Sequence, residues 1–254
     1  MRLAETRFGP EGGTPLVIAH GLFGSARNWT AMARRMATDR AVILVDMRNH
    51  GESPHADAQD YRSMADDLTE TITAAGGPAD LLGHSMGGKA AMVVALLQPA
   101  VVARLVVADI APVRYTHTQR PYLEAMRDMD LTGISRRSEA DASLAGPVPD
   151  RAVRAFLLQN LVTSGGGVSW RLNLAALDRS LDGLMAFPEI DATFTGPATF
   201  LSGAQSDYVS PEHHARILSL FPAARFEQVP DAGHWLHADA PDAFEAALRS
   251  ALPV

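Results

Sequence analysis

Five short apolar runs constrain this chain more than any other feature. They are TPLVIAH (14–20), AVILVDM (41–47), ADLLGHS (79–85), ARLVVADI (103–110) and PATFLSG (197–203). Each is apolar at consecutive rather than alternate positions, so a strand built from it buries both faces. A sixth run, ARFEQVPDAG (224–233), is more polar and reads as a final strand near an edge. Helical patterns separate them at 28–39, 64–76, 89–98 and 211–221, with a closing amphipathic helix in PDAFEAALRSAL. Alternating β and α elements predict an α/β fold with a mostly parallel central sheet flanked by helices.

The alternation fails between Ala111 and about Thr195. That stretch offers no good strand but several helical patterns: PYLEAMRDM, RAVRAFLLQNL and RLNLAALDRSL. Pro147-Val148-Pro149 and Gly165-Gly166-Gly167 punctuate it. An insertion of this size before the penultimate strand predicts a helical cap over the strand ends, where open α/β sheets place their sites. The expected division is a core at 1–110 and 196–254, with a cap at 111–195.

Composition narrows the function. The 254 residues are 47% hydrophobic and 20% charged, enough for a sizeable core, and the net charge of −7 disfavours nucleic acid and anionic membrane as partners. The chain has no cysteine, which excludes disulfides, thiolate metal sites and a cysteine nucleophile. No run approaches the roughly 18 apolar residues of a membrane span, and MRLAETRFGPEGG has no apolar signal core. The expectation is a soluble cytoplasmic protein; oligomeric state leaves no mark in the sequence.

LLGHSMGGKA (81–90) carries two overlapping motifs. Gly83-x-x-x-x-Gly88-Lys89 matches a phosphate-binding loop up to its last position, where Ala90 replaces the hydroxyl that would hold magnesium. Gly83-x-Ser85-x-Gly87 matches a nucleophile elbow, the tight strand-to-helix turn that lifts a serine above the sheet. A serine hydroxyl needs a neighbouring base and an oxyanion site. His20-Gly21-Leu22-Phe23-Gly24 follows the first predicted strand, and a backbone N–H there, at Leu22 or alternatively Phe23, would act with that of Met86 on the oxyanion. Asp231-Ala232-Gly233-His234-Trp235 follows the last, and His234 is the candidate base.

HGLFGSARNW (20–29), DMRNHGESPH (46–55), LLGHSMGGKA, DIAPVRY (109–115) and AGHWLHADAPDAF (232–244) together resemble the α/β-hydrolase superfamily, in particular small bacterial YbfF-type esterases. The resemblance spans the sheet elements and parts of the insertion. It implies hydrolysis of acyl esters or acyl thioesters by serine, histidine and an acid, without a metal or organic cofactor. For most of the superfamily the acid would stand three residues after Gly203, where this chain has Ser206, with Asp207 one residue late. YbfF-type enzymes imply instead an acid at the DIAP motif, Asp109, assisted by a serine, here Ser206. Asp109 is the expected acid and Asp207 the alternative.

His20 and His50 read as loop anchors, and with His84 and Asp46 they lack the spacing of a metal site. Lys89 reads as the start of the helix behind Ser85. Phe23, Met86, Phe156, Leu157, Leu161, Trp170 and Leu174 are the expected acyl-pocket residues, with Phe23 and Trp170 foremost. Serine at the elbow excludes the aspartate-dependent dehalogenases and epoxide hydrolases of this fold. Cofactor-free haloperoxidases, C–C hydrolases and a receptor with vestigial turnover remain as alternatives.

Overall fold

The structure, a computed structural model, describes every residue except His117, Gly165, Gly166 and Val254. A seven-stranded sheet forms its centre. In chain order its strands are β1 (Glu5–Phe8), β2 (Leu16–Ala19), β3 (Val42–Val45), β4 (Ala79–His84), β5 (Val102–Ala108), β8 (Ala198–Gly203) and β9 (Ala224–Val229). Their spatial order is β1-β3-β2-β4-β5-β8-β9, parallel throughout except for β1 against β3.

Every residue of β2, β3 and β4 is buried, as their unbroken apolar runs require. Period-two alternation sends Val17 and Ala19 into one core and Leu16 and Ile18 into the other. The first core is closed by α2 (Tyr61–Ala74), α3 (Met86–Leu97) and α8 (Pro211–Leu220). The second is closed by α1 (Thr30–Met36) and α10 (Pro241–Ala251), through Trp29, Met36, Phe244 and Leu248. No helix among the described residues is long and apolar enough to cross a membrane.

Between β5 and β8 the chain makes α4 (Arg120–Arg127), α5 (Arg137–Leu144), α6 (Arg151–Leu157) and α7 (Leu174–Met185). Between α6 and α7 lies an antiparallel hairpin, β6 (Leu161–Ser164) with β7 (Gly167–Trp170). This hairpin corrects the expectation of a strand-free insertion. RAVRAFLLQNL is not one helix, because α6 stops at Leu157 and a 3-10 turn leads into the hairpin. Gly165 and Gly166, expected as punctuation, lie outside the described residues. The edge strand β1 is a second element absent from the sequence reading. The 28–39 helix begins as a 3-10 turn at Ala26–Trp29.

Candidate active site

The carboxyl ends of β2, β4, β5 and β9 converge on one cavity of about 760 Å³, in the usual range for small-molecule sites. Ser85 stands there between β4 and α3 with φ 51° and ψ −118°, a conformation that costs a non-glycine residue about 1–3 kcal/mol. The surrounding glycines explain how the turn closes. A Cβ on Gly83 would lie 2.3 Å from the Gly87 carbonyl oxygen, and one on Gly87 would lie 2.4 Å from that of Ala19. Main chain occupies the space where side chains would begin. β4 ends at His84 and α3 begins at Met86, which leaves no open loop to wrap a phosphate. Lys89 Nζ is held by the main-chain carbonyls of Val113, Met185 and Ala186.

His234 follows β9. Its Nδ1–H donates to Asp109 Oδ2 at 2.7 Å, which leaves Nε2 as the basic nitrogen. Asp109 is fully buried after β5. Its carboxylate also accepts from the Ser206 hydroxyl at 2.5 Å and the Gly203 N–H at 3.2 Å. Asp207 is exposed and makes no such bond to His234. The His234 ring stacks on Tyr208 at 3.9 Å.

Two histidines set the loop opposite Ser85. His50 donates from Nδ1 to the Arg48 carbonyl at 2.8 Å, so its Nε2 accepts the Phe23 N–H at 3.2 Å. Burial, then the neighbouring His20, pushes His50 down to about 3 and keeps it neutral. The Phe23 N–H is thus committed, which leaves Leu22 as the candidate of the two for an oxyanion donor. Met86 opens α3, so its N–H has no acceptor within the helix. His20 is an anchor of the same kind, donating to Gly21 and accepting from the Met47 N–H at 2.9 Å. Among the described residues, no group of three His, Cys, Asp or Glu side chains is placed to hold a metal.

The cavity wall includes Leu22, Phe23, Met86, Val153, Phe156 and Leu157. Leu161, Trp170 and Leu174 are not part of it, which corrects their expected place. Trp170 lies on β7 and packs instead between two small cores of the insertion, beside Leu157 and Leu158. Other wall residues carried no pattern that would single them out: Tyr61, Tyr115, Tyr208 and His237. His84 is a further surprise, since its Nε2–H donates to the His234 carbonyl at 2.8 Å and so holds the loop of the base. Burial pushes His84 far below its ordinary value, with the neighbouring His234 and His237 adding to the fall. The elbow motif contains this histidine, but only the fold reveals its partner.

A hydroxyl on a strained turn, a carboxylate-oriented imidazole and two backbone donors can together support acyl transfer. Residues 16–247 match the alpha/beta hydrolase family. The chain therefore belongs to the α/β-hydrolase family. Within it, the chain stands among the YbfF-type esterases. It is 36% identical to esterase YbfF of Escherichia coli (strain K12) over 249 residues, covering 97% of this chain and 96% of that protein. It is also 44% identical over 246 residues to the sn-1-specific diacylglycerol lipase ABHD11 of Mus musculus, covering 93% and 80%. Among solved structures, a marine microorganism esterase superposes with a TM-score of 0.95 at 36% identity, covering 99% of each chain.

Proposed function

We propose that this carboxylic ester hydrolase acts on acyl esters or acyl thioesters through Ser85, His234 and Asp109, by way of a covalent acyl-enzyme. The observation that carries this reading is the 2.7 Å bond from His234 Nδ1 to the buried Asp109, beside an elbow serine in the same cavity. Ser85 Oγ attacks the carbonyl carbon while His234 Nε2 takes the hydroxyl proton. The oxyanion is stabilised by the N–H groups of Met86 and Leu22. Collapse expels the alkoxide or thiolate, which leaves with the proton from His234. Water then attacks the acyl carbon, gives a proton to His234, and Ser85 regains it as the acid departs.

Residues 111–195 serve in this reading as a cap on a core of 1–110 and 196–254. Phe23, Phe156 and Leu157 face the acyl chain. The relatives' names, esterase and diacylglycerol lipase, support acyl esters as the substrate class. The test is covalent labelling by a fluorophosphonate probe, with turnover of p-nitrophenyl esters and matched thioesters. Wild type labels on Ser85, and Ser85→Ala neither labels nor turns over, a loss of about 10⁵–10⁶-fold in kcat. Folded wild type that resists the probe would sink the mechanism.

A further inference from the structure

Lys89 is a lysine side chain only 1% exposed, and the proposed chemistry does not use it. It lies one helical turn after Ser85, and its backbone N–H donates to the Ser85 carbonyl at 3.0 Å. The side chain leads away from the serine towards the cap. There Nζ donates to the carbonyls of Val113 at 2.9 Å, Met185 at 3.1 Å and Ala186 at 2.7 Å. An ammonium there has its three donors matched by main-chain oxygens, while burial, with Arg114 adding, pushes the amine down to about 7. The Tyr115 ring lies 4.9 Å from the charge.

Met185 is the last residue of α7 and Ala186 its C-cap. The final carbonyls of a helix have no partner within it, and the helix end carries a partial negative charge. A buried ammonium answers both needs. Tyr61 completes the arrangement, its hydroxyl donating to the Leu184 carbonyl at 2.6 Å. The other end of α7 is also held by the core, because the Asn173 N–H donates to the Asn49 carbonyl at 3.1 Å.

Part of the cap packs on this helix. Leu177 and Leu181 of α7 share a buried cluster with Leu123 and Met126 of α4. Leu184 and Met185, at the capped end, are themselves part of the cavity wall. A displacement of this helix end therefore changes the shape of the cavity without touching Ser85, His234 or Asp109. Burying a lysine is costly unless its donors are needed, and here they satisfy carbonyls that a leucine or methionine would leave bare.

We propose that Lys89 is a positioning residue that docks the cap: by capping α7 it ties the cap to the helical turn carrying the nucleophile, and so sets which acyl chain lengths the enzyme accepts. The proposal rests on the ester-hydrolase reading of the site. It predicts a separation between binding of the acyl chain and chemistry at the carbonyl.

The experiment compares wild type with Lys89→Met, Lys89→Arg and Tyr61→Phe on p-nitrophenyl esters from acetate to laurate, with hydrogen exchange measured on peptides covering 174–190 and 79–97. Lys89→Met keeps the length of the side chain and removes its donors. The expected result is a KM raised about tenfold for the chain length that wild type prefers, with kcat on acetate altered no more than about threefold. Exchange over 174–190 accelerates while 79–97 stays protected. Lys89→Arg, which restores donors, recovers part of the chain-length profile, and Tyr61→Phe shifts it in the same direction as Lys89→Met but by less. An unaltered chain-length profile, or a uniform loss of kcat on all esters with 174–190 still protected, would overturn the proposal. If Lys89→Met does not fold, Tyr61→Phe decides by exchange over 174–190, because Tyr61 is itself part of the cavity wall: accelerated exchange supports docking and unchanged protection refutes it. Should wild type hydrolyse none of these esters, the ester reading fails, while the exchange measurement still reports whether Lys89 docks α7.

Discussion

In the core, β2, β3 and β4 are buried at every residue and two continuous apolar layers cover the sheet. The insertion between β5 and β8 adds two smaller clusters, around Leu123, Leu177 and Leu181 and around Ala140, Leu144 and Leu158, while its Leu184 joins the first core. It supplements them with ion pairs near the surface, such as Arg120 with Asp178 and Arg127 with Asp178. Exposed pairs of this kind contribute about 0–1 kcal/mol each. Ser85, His234 and Asp109 sit at strand ends of the densely packed core, while Val153, Phe156 and Leu157 bring the more loosely packed insertion into the cavity wall beside core residues such as Leu22 and Met86.

Substitutions can break that division or sharpen it. The largest effect is expected at the carboxylate behind His234. Asp109→Asn should lower kcat about 10⁴-fold, because the imidazole loses its orienting acceptor, whereas exposed Asp207→Asn should stay within about twofold. Steady-state kinetics on p-nitrophenyl butyrate checks both, and the reverse ranking would return the acid to the end of β8. Next comes Gly87→Ala, whose Cβ would meet main-chain oxygens of Ala19 and His20 at 2.4 and 2.5 Å. It should destabilise the core by at least about 3 kcal/mol, read by urea melts. A wild-type midpoint would mean the elbow is softer than its geometry implies.

Acid should act on the core as well. His50 is held at about 3 when folded, against an ordinary value of 6.5. Between those values the unfolded chain binds a proton that the folded chain refuses. Stability is therefore complete above pH 6.5 and is lost as pH falls towards 3, by up to about 1.4 kcal/mol per pH unit for one group. His20 and His84, also lowered chiefly by burial, add loss of the same sign. Thermal melts from pH 7.5 to 4.5 should show the decline, and a flat Tm would contradict three neutral buried imidazoles. The smallest effect belongs to the cap. Trp170→Phe should cost about 1–2 kcal/mol in packing and leave the chain-length profile as it was, since the ring lies outside the cavity. A changed profile would mean that the clusters behind the wall shape it.

The parallel strands were legible because burial on both faces demands consecutive apolar residues. Strand β1 was not, since ETRF is polar, half exposed and held only by its pairing with β3. The hairpin β6–β7 was hidden for a related reason: a four-residue strand following a helix has too few residues to display a period of its own. At the site, Ser85 was marked by its G-x-S-x-G turn and His234 by its place after the last strand, while Asp109, which lies 2.7 Å from His234, was preferred over Asp207 only through the resemblance at DIAP. Trp170 misled, because a large apolar side chain in an insertion has the same signature whether it faces substrate or its neighbours. The roles of His84 and Lys89 rest on carbonyl partners distant in sequence, and a backbone oxygen has no letter in a sequence.

Among the described residues, five that are not glycine have positive φ: Phe23, Asn49, Ser85, Asp109 and Asp231. Each follows a strand of the sheet, β2, β3, β4, β5 and β9 in turn, at the edge that carries the cavity. The molecule thus holds a conformational debt along one rim, secured by the interior beneath it. A laboratory search for hardier variants would meet that rim first. Glycine at the exposed Asp231 would relieve the backbone with little chemical consequence. At buried Asn49 it would strip the bonds to Gln59, Ala56 and Asn173, and at Ser85 or Asp109 it would remove the proposed nucleophile or the acceptor of the His234 ring. Heat tolerance and turnover would therefore be set against each other residue by residue along this edge.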